Sequence, residues 1–241
     1  MTKKRYNSLS IEPKNAKQRE FLNSVSDYPV TFAIGSAGGG KTYLATFKAI
    51  EYLQYGLVDK IVVVRPAVAT ENLGYLPGDL IEKIDPYLLP IWDAFESLVG
   101  IEKFEEYKEN RQIEIAALAF MRGRTISNAF IILDEAQNTT IDQMKMFLTR
   151  FGENVKVVIT GDPSQSDING ANGLEWAVEK LQECKSVNMI RYTKREVVRS
   201  ALTRDILHYL ERGNDKKSTT IPDSTDDPVR NVRNTAISEF N

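Results

Sequence analysis

The chain holds one cysteine and one histidine. With Cys184 alone no intramolecular disulfide can form, and a cytoplasmic setting is expected. With His208 alone there is no Cys/His cluster to hold zinc, and His208 itself reads as structural. No apolar run approaches the roughly 20 residues of a membrane-spanning helix, so no membrane partner is expected. Met1–Arg5 is charged without an apolar stretch behind it, so no secretory signal is expected. An excess of one charge is also missing. Lys and Arg number 31 against 33 Asp and Glu, a formal net charge of −2. That balance excludes a protein that coats nucleic acid by bulk positive charge, and leaves room for a local basic groove. No internal repeat is present.

What the chain does have is Gly35-Ser36-Ala37-Gly38-Gly39-Gly40-Lys41-Thr42. These eight residues satisfy every fixed position of the phosphate-binding pattern G-x-x-x-x-G-K-[ST], the Walker A loop. Glycines allow the tight turn that aims successive backbone N–H groups at phosphate oxygens. Lys41 is suited to the β- and γ-phosphates and the Thr42 hydroxyl to Mg²⁺. The helix that follows presents its positive end to the same anion. A nucleoside triphosphatase is the first expectation.

The surrounding pattern supports it. The 42% hydrophobic content suffices for one large domain or two small ones. Val30–Ile34 reads as a buried strand before the loop, and Phe47, Ile50, Leu53 and Leu57 share one face of the helix after it. Further strands are expected at Ile61–Val64, Ile113–Ala119, Phe130–Leu133, Val155–Thr160 and Val187–Tyr192. Helices are expected at Ala16–Val25, Ile91–Tyr107, from Thr140 with a Gln143 capping box, at Leu174–Leu181 and at Glu196–Leu210. Ala67–Pro90 carries turn signals at Gly74, Pro77-Gly78 and Pro86, and reads as a long functional insertion. From Gly213 the chain is polar and without period, a flexible tail. Strands alternating with helices indicate a parallel α/β sheet whose ligands bind at the strands' carboxyl ends.

The motifs fall at those ends. Asp134 closes a buried strand and suits Mg²⁺, through water, together with Thr42. Glu135 suits the water that attacks in line, although an acidic pair also favours any helix start. Gln165 in Gly161-Asp162-Pro163-Ser164-Gln165 places an amide where a γ-phosphate is sensed, or simply completes a turn. Arg150 and Arg199 are candidate arginine fingers, each able to serve a neighbouring subunit, or ordinary charges at helix ends. Arg65, Arg122 and Arg124 either meet nucleic-acid phosphates or pair with neighbours such as Glu71 and Asp79. Gln18 either reads adenine or is an ordinary exposed glutamine. Thr193-Lys194-Arg195-Glu196 lacks the Asp of a guanine-reading element, which favours ATP.

Together these segments resemble the PhoH-like family, phosphate-starvation-associated ATPases of bacteria and their phages. The likeness runs from about Pro13 to Arg212. It is carried by the Walker A loop and by Arg65-Pro66-Ala67-Val68, Leu73–Asp79, Asp85-Pro86-Tyr87, Ala119–Thr125, Ile132–Thr140 and Met146–Arg150. The resemblance implies one RecA-like lobe of a superfamily-one helicase, an α/β P-loop fold with a mainly parallel sheet flanked by helices. It implies the stated roles for Lys41, Thr42, Asp134, Glu135 and Gln165, with ATP and Mg²⁺ as ligands. Ser36 and Gly39 replace the family's usual Pro and Thr, which makes a more flexible loop. Glu71-Asn72 replaces its Gly-Glu, and Ser200 its His. Some relatives carry an N-terminal nuclease domain, which is not expected before this first strand. The expected organisation is an N-terminal segment over 1–29, an ATPase domain over 30–212 and a tail over 213–241.

One lobe cannot open and close on a strand by itself. A homo-oligomeric ring, expected to be a hexamer, follows, with ATP at subunit interfaces and an arginine supplied in trans. Two main readings remain. One is an ATPase coupled to RNA or single-stranded DNA. The other is a slow ATP-dependent switch or scaffold that binds a protein partner, without helicase activity. A small-molecule kinase would need a lid with paired arginines, for which the sequence offers no candidate.

Overall fold

Short runs rich in Val, Ile and Phe form six strands: β1 Val30–Gly35, β2 Lys60–Arg65, β3 Ile113–Ala117, β4 Ala129–Leu133, β5 Val155–Gly161 and β6 Val187–Tyr192. The computed structural model describes residues 9–66, 80–168 and 170–196, and positions 202, 203, 206 and 209. The strands make one sheet in the order β3-β2-β4-β5-β1-β6, and every pair is parallel. A parallel sheet is covered on both faces, which is why these strands read as continuous apolar runs. Phe130 and Ile132 of β4 enter one core, and Ile131 and Leu133 the other.

Helices α1 (Ala16–Asp27), α2 (Lys41–Gln54), α3 (Leu80–Val99) and α4 (Ile101–Glu109) cover the first face. Phe21, Leu44, Ile50, Phe95 and Phe104 pack there. On the second face α5 (Ile141–Leu148) and α6 (Gly173–Leu181) contribute Met144, Phe147, Leu174 and Ala177. Each large side chain so buried contributes roughly 1.5–3 kcal/mol. The expected capping box holds α5, with Thr140 accepting from the Gln143 amide and Gln143 accepting in return.

Three expectations are corrected. Residues 80–90 are not an insertion loop: α3 runs straight through Pro86 and Pro90, and the buried Leu88, Ile91 and Phe95 anchor it. Packing of these side chains outweighs the two missing N–H donors. The remainder of that insertion lies outside the described residues. Ile91–Tyr107 is not one helix, because Gly100 at φ +80° separates α3 from α4. Leu57 does not share the inner face of α2, since α2 stops at Gln54 and Leu57 is exposed in the turn beyond. The chain divides into two units, Met1–Val198 and Arg199–Asn241. In the second, Leu202, Ile206 and Tyr209 are helical and exposed. The rest of the Glu196–Leu210 helix and the tail lie outside the described residues. Among the described residues no helix is long and apolar enough to cross a membrane.

On the edge strand β3, Glu114 accepts hydrogen bonds from Lys60 at 2.9 Å and Arg124 at 2.5 Å. Arg124 is therefore committed to Glu114. Burial pushes the Glu114 carboxyl up, and the two hydrogen bonds more than reverse this, leaving it below the usual carboxylate range. The folded chain thus holds Glu114 ionised at a pH where the unfolded chain takes up the proton. Stability from this pair is complete above the ordinary glutamate pKa and is lost as pH falls through the depressed one. Glu114→Gln should lower unfolding free energy by about 1 kcal/mol at pH 7. Urea titrations between about pH 6 and pH 3 should show the gap to the unmodified chain closing; a constant gap would refute the assignment.

Candidate functional site

β1 ends in the glycine-rich loop and α2 begins at Lys41, so strand, loop and helix place the Walker A segment at the carboxyl edge of the sheet. Gly35 sits at φ +117°, and a Cβ there would lie 2.0 Å from the Tyr192 carbonyl oxygen. The loop is braced on several sides. Lys41 Nζ donates to the Gly35 and Ser36 carbonyls at 2.6 and 2.8 Å. Burial lowers the Lys41 pKa, against the opposing pull of Asp162, Asp134 and Glu135. The Ala37 amide donates to Asp162 Oδ2 at 3.2 Å. Gly39 admits the Tyr192 ring, whose Cδ1 is 2.8 Å from where a Cβ would stand. Within the Gly38-Gly39-Gly40 run, Gly39 is therefore packed while Gly38 is exposed.

Gln18 is buried, contrary to the reading of an ordinary exposed glutamine. Its Nε2 donates to the Gly39 carbonyl at 3.1 Å and its Oε1 accepts from the Lys14 amide at 2.8 Å. Both ends of the amide hold backbone, so Gln18 ties the segment before α1 to the phosphate loop.

Asp134 follows β4 and is 3% exposed. Its Oδ1 accepts from Thr42 Oγ1 at 3.0 Å and from Thr160 Oγ1 at 2.5 Å. Its Oδ2 accepts from Arg65 Nη2 at 2.9 Å. The same Arg65 nitrogen is 3.5 Å from Glu135 Oε1. Arg65 thus pairs with the two strand-end carboxylates, while the expected partners Glu71 and Asp79 lie outside the described residues. Glu135 adopts φ +56°, and its Oε2 accepts from Gln137 Nε2 at 2.5 Å.

Gln137 extends the network. Its Oε1 accepts from the Asp162 amide at 3.0 Å. Asp162 Oδ2 in turn accepts from Gln165 Nε2 at 3.1 Å and from the Ala37 amide. One line of hydrogen bonds therefore joins Glu135, Gln137, Asp162, Gln165 and the loop. Sequence reading named the ends of this line and missed its middle. The run Asp134-Glu135-Ala136-Gln137 and the turn former Asp162 were the available signals. Nothing in the sequence pointed to Tyr192, whose buried hydroxyl finds no hydrogen-bond partner among the described residues and whose pKa burial raises.

A cavity of about 270 Å³ opens between Gly38, Lys41, Thr42, Asp134, Glu135 and Gln165. Lys41, Thr42, Asp134, Glu135 and Gln165 are thus brought together as expected. A second, of about 320 Å³, lies against Ile11, Gln18, Tyr43 and Leu44 and shares Gly38, Gly40 and Tyr43 with the first. Arg150 is elsewhere. α5 leads away from the carboxyl end of β4, and Arg150 caps it by donating to Met146 O at 3.1 Å. Its carbonyl bonds Ile126, near the amino ends of β4 and β5, opposite the loop. Arg199 lies outside the described residues. The donor set suits a magnesium-bearing triphosphate: loop amides and an ammonium for the anion, a hydroxyl and a carboxylate 3.0 Å apart for a hard cation.

A model of PhoH-like proteins matches residues 10–211. The chain belongs to the PhoH-like family. Over 208 residues it is 48% identical to a PhoH-like protein of Bacillus subtilis, covering 85% of this chain and 65% of that one. It is 47% identical to one from Mycobacterium tuberculosis, covering 82% and 57%. With Protein PhoH of Escherichia coli it shares 45%, again covering 82% and 57%. The chain therefore spans less than two thirds of the length of these family members. Among solved structures, the large terminase of a thermophilic bacteriophage aligns over 80% of this chain and 48% of its own, at 15% identity and a TM-score of 0.47.

The Asp134 network can be tested within this family member. Thr160→Val keeps shape and deletes one donor to a buried carboxylate. It should cost about 2 kcal/mol in urea unfolding. An unchanged midpoint would show that Thr160 does not support Asp134.

Proposed function

We propose that this chain is a Mg²⁺-dependent ATPase that works in an oligomeric ring and is coupled to RNA or single-stranded nucleic acid. The observation that carries the hydrolytic reading is the Thr42–Asp134 contact at 3.0 Å, at the mouth of the phosphate loop and beside Glu135. In this reading the loop amides and Lys41 bind the triphosphate, with Lys41 exchanging its carbonyl partners for phosphate oxygens. Thr42 and Asp134 hold Mg²⁺, which when bound neutralises phosphate charge. Glu135, half exposed to the cavity, orients the attacking water and takes its proton. Gln137 restrains Glu135, and Gln165 senses the γ-phosphate from the Asp162 side. The second cavity takes the base, with Tyr43 and Leu44 as apolar walls and Gln18 beneath.

The ring reading is supported by the single sheet and by Arg150, which lies opposite the loop of its own chain. Arg150 or Arg199 would act on a neighbour, and six subunits remain the expectation. The working unit is the segment 30–212, in the cytoplasm, with the described part of the preceding segment packed on it through Phe21 and Val25. Nucleic-acid coupling draws on Phe120, 57% exposed just past β3, and the exposed Arg122 next to it. An aromatic face beside a cation suits a stacked base and its phosphate. The slow-switch reading is favoured by one observation: Asp162 and the loop carbonyls already engage Ala37 and Lys41, and a nucleotide must displace them.

ATP turnover by the purified protein, with and without RNA or single-stranded DNA, separates these readings. Lys41→Ala should lose nucleotide binding. Glu135→Gln should keep it, with kcat down about 10²–10⁴-fold. Nucleic acid should raise the rate of the unmodified chain, and turnover indifferent to it would select the switch. Native mass spectrometry showing only monomer with ATP present would remove the ring.

A further inference from the structure

Among the described residues Arg65 is the one cation that touches both strand-end carboxylates, and the hydrolysis outlined above gives it no task. The sheet itself places it. β2 pairs with β4, Val64 stands opposite Leu133, and the Asp134 amide donates to the Val64 carbonyl at 3.0 Å. The next residue on each strand is then Arg65 on one side and Asp134 on the other. The Arg65 side chain is 12% exposed and the Asp134 side chain 5%. Asp134 Oδ1 is occupied by two hydroxyls, so Arg65 supplies the only full positive charge within ion-pair distance of this carboxylate among the described residues. A guanidinium cannot shed its proton, and a buried carboxylate left without a countercharge is strongly unfavourable.

We propose that Arg65 is an internal countercharge that competes with the divalent cation for Asp134, and so sets how much Mg²⁺ the site requires before Glu135 is released to act. The inference rests on the nucleotide site proposed above and adds a positioning residue to it. Arg65 and the cation draw on the same carboxylate, from the Oδ2 and Thr42 sides respectively. Two positive charges this close in a half-buried site repel, so each weakens the other's hold. Arg65 also lies 3.5 Å from Glu135 Oε1, while Gln137 holds Oε2. Glu135 is thereby restrained at both oxygens. A cation that takes over Asp134 loosens Arg65 and, with it, one of the two restraints on Glu135. The left-handed backbone at Glu135, φ +56°, keeps its carboxylate beside these two partners.

The test measures Mg²⁺ dependence rather than rate. Binding of a fluorescent ADP is titrated with MgCl₂ for the unmodified chain, Arg65→Gln and Arg65→Lys. Arg65→Gln should reach half-saturation at about tenfold lower Mg²⁺, and Arg65→Lys, which keeps the charge but loses the fork, at about threefold lower. MgCl₂ alone should raise the melting temperature of Arg65→Gln more than that of the unmodified chain, and NaCl at equal ionic strength should not. If Arg65→Gln does not fold, Arg65→Lys decides by the same titration. Equal Mg²⁺ dependence in variants that bind ADP overturns the role of Arg65 and leaves the nucleotide site standing. Loss of RNA stimulation with an unshifted Mg²⁺ dependence also overturns it, and assigns Arg65 to RNA phosphate instead. Failure of the unmodified chain to bind ADP at any Mg²⁺ concentration overturns the nucleotide site and this inference together.

Discussion

A carboxylate withdrawn from water must find donors, and Asp134 finds them on three separate elements. Thr42 comes from the first turn of α2, Arg65 from the end of β2 and Thr160 from β5. Removing one partner of a buried charge costs far more than a surface contact contributes, so these elements are held in one relative position. The phosphate loop, on β1, is tied to that position through Thr42. The sheet order makes the arrangement possible. β4 lies between β2 and β5, so Asp134 has a neighbour strand on each side and the loop one strand further on.

The second organising feature is the line from Glu135 through Gln137 to Asp162, and on to Gln165 and the Ala37 amide. Each bond is an ordinary one, but they run in series between the Glu135 carboxylate and the loop. Three of these bonds end on a carboxylate oxygen, and hydrogen bonds to a charged group are about twice as strong as neutral ones. The loop is held along its length by other contacts as well: Lys41 at the Gly35 and Ser36 carbonyls, Asp162 at the Ala37 amide, and Gln18 and Tyr192 at Gly39.

Local patterns carried much of this. The six strands, the capping box at Thr140 and the sequence Gly35–Thr42 each arise from residues adjacent in the chain, whose preferences need no tertiary context. Pro86 misled because a proline is unfavourable in a helix only by a few kcal/mol, and the packing of Leu88, Ile91 and Phe95 exceeds that. Gly100 and Leu57 misled for a related reason: amphipathic period continues through a break that a single backbone angle decides. Arg150 follows the Asp134 motif in the chain, yet α5 carries it to the edge of the sheet opposite the loop of its own chain, which no local pattern announces.

By itself the sequence determined the phosphate loop, the carboxylates that answer it, the α/β alternation and membership of the PhoH-like family, because each is written in contiguous residues. Only the tertiary structure decided which partner each charge takes. Arg65 meets Asp134 across two strands 69 positions apart in the chain, and Tyr192 meets Gly39 across the edge of the sheet. Such pairs depend on strand order and register, which no local pattern specifies. The residue types of the site were therefore legible in the chain, while the contacts that hold them together exist only in the folded sheet.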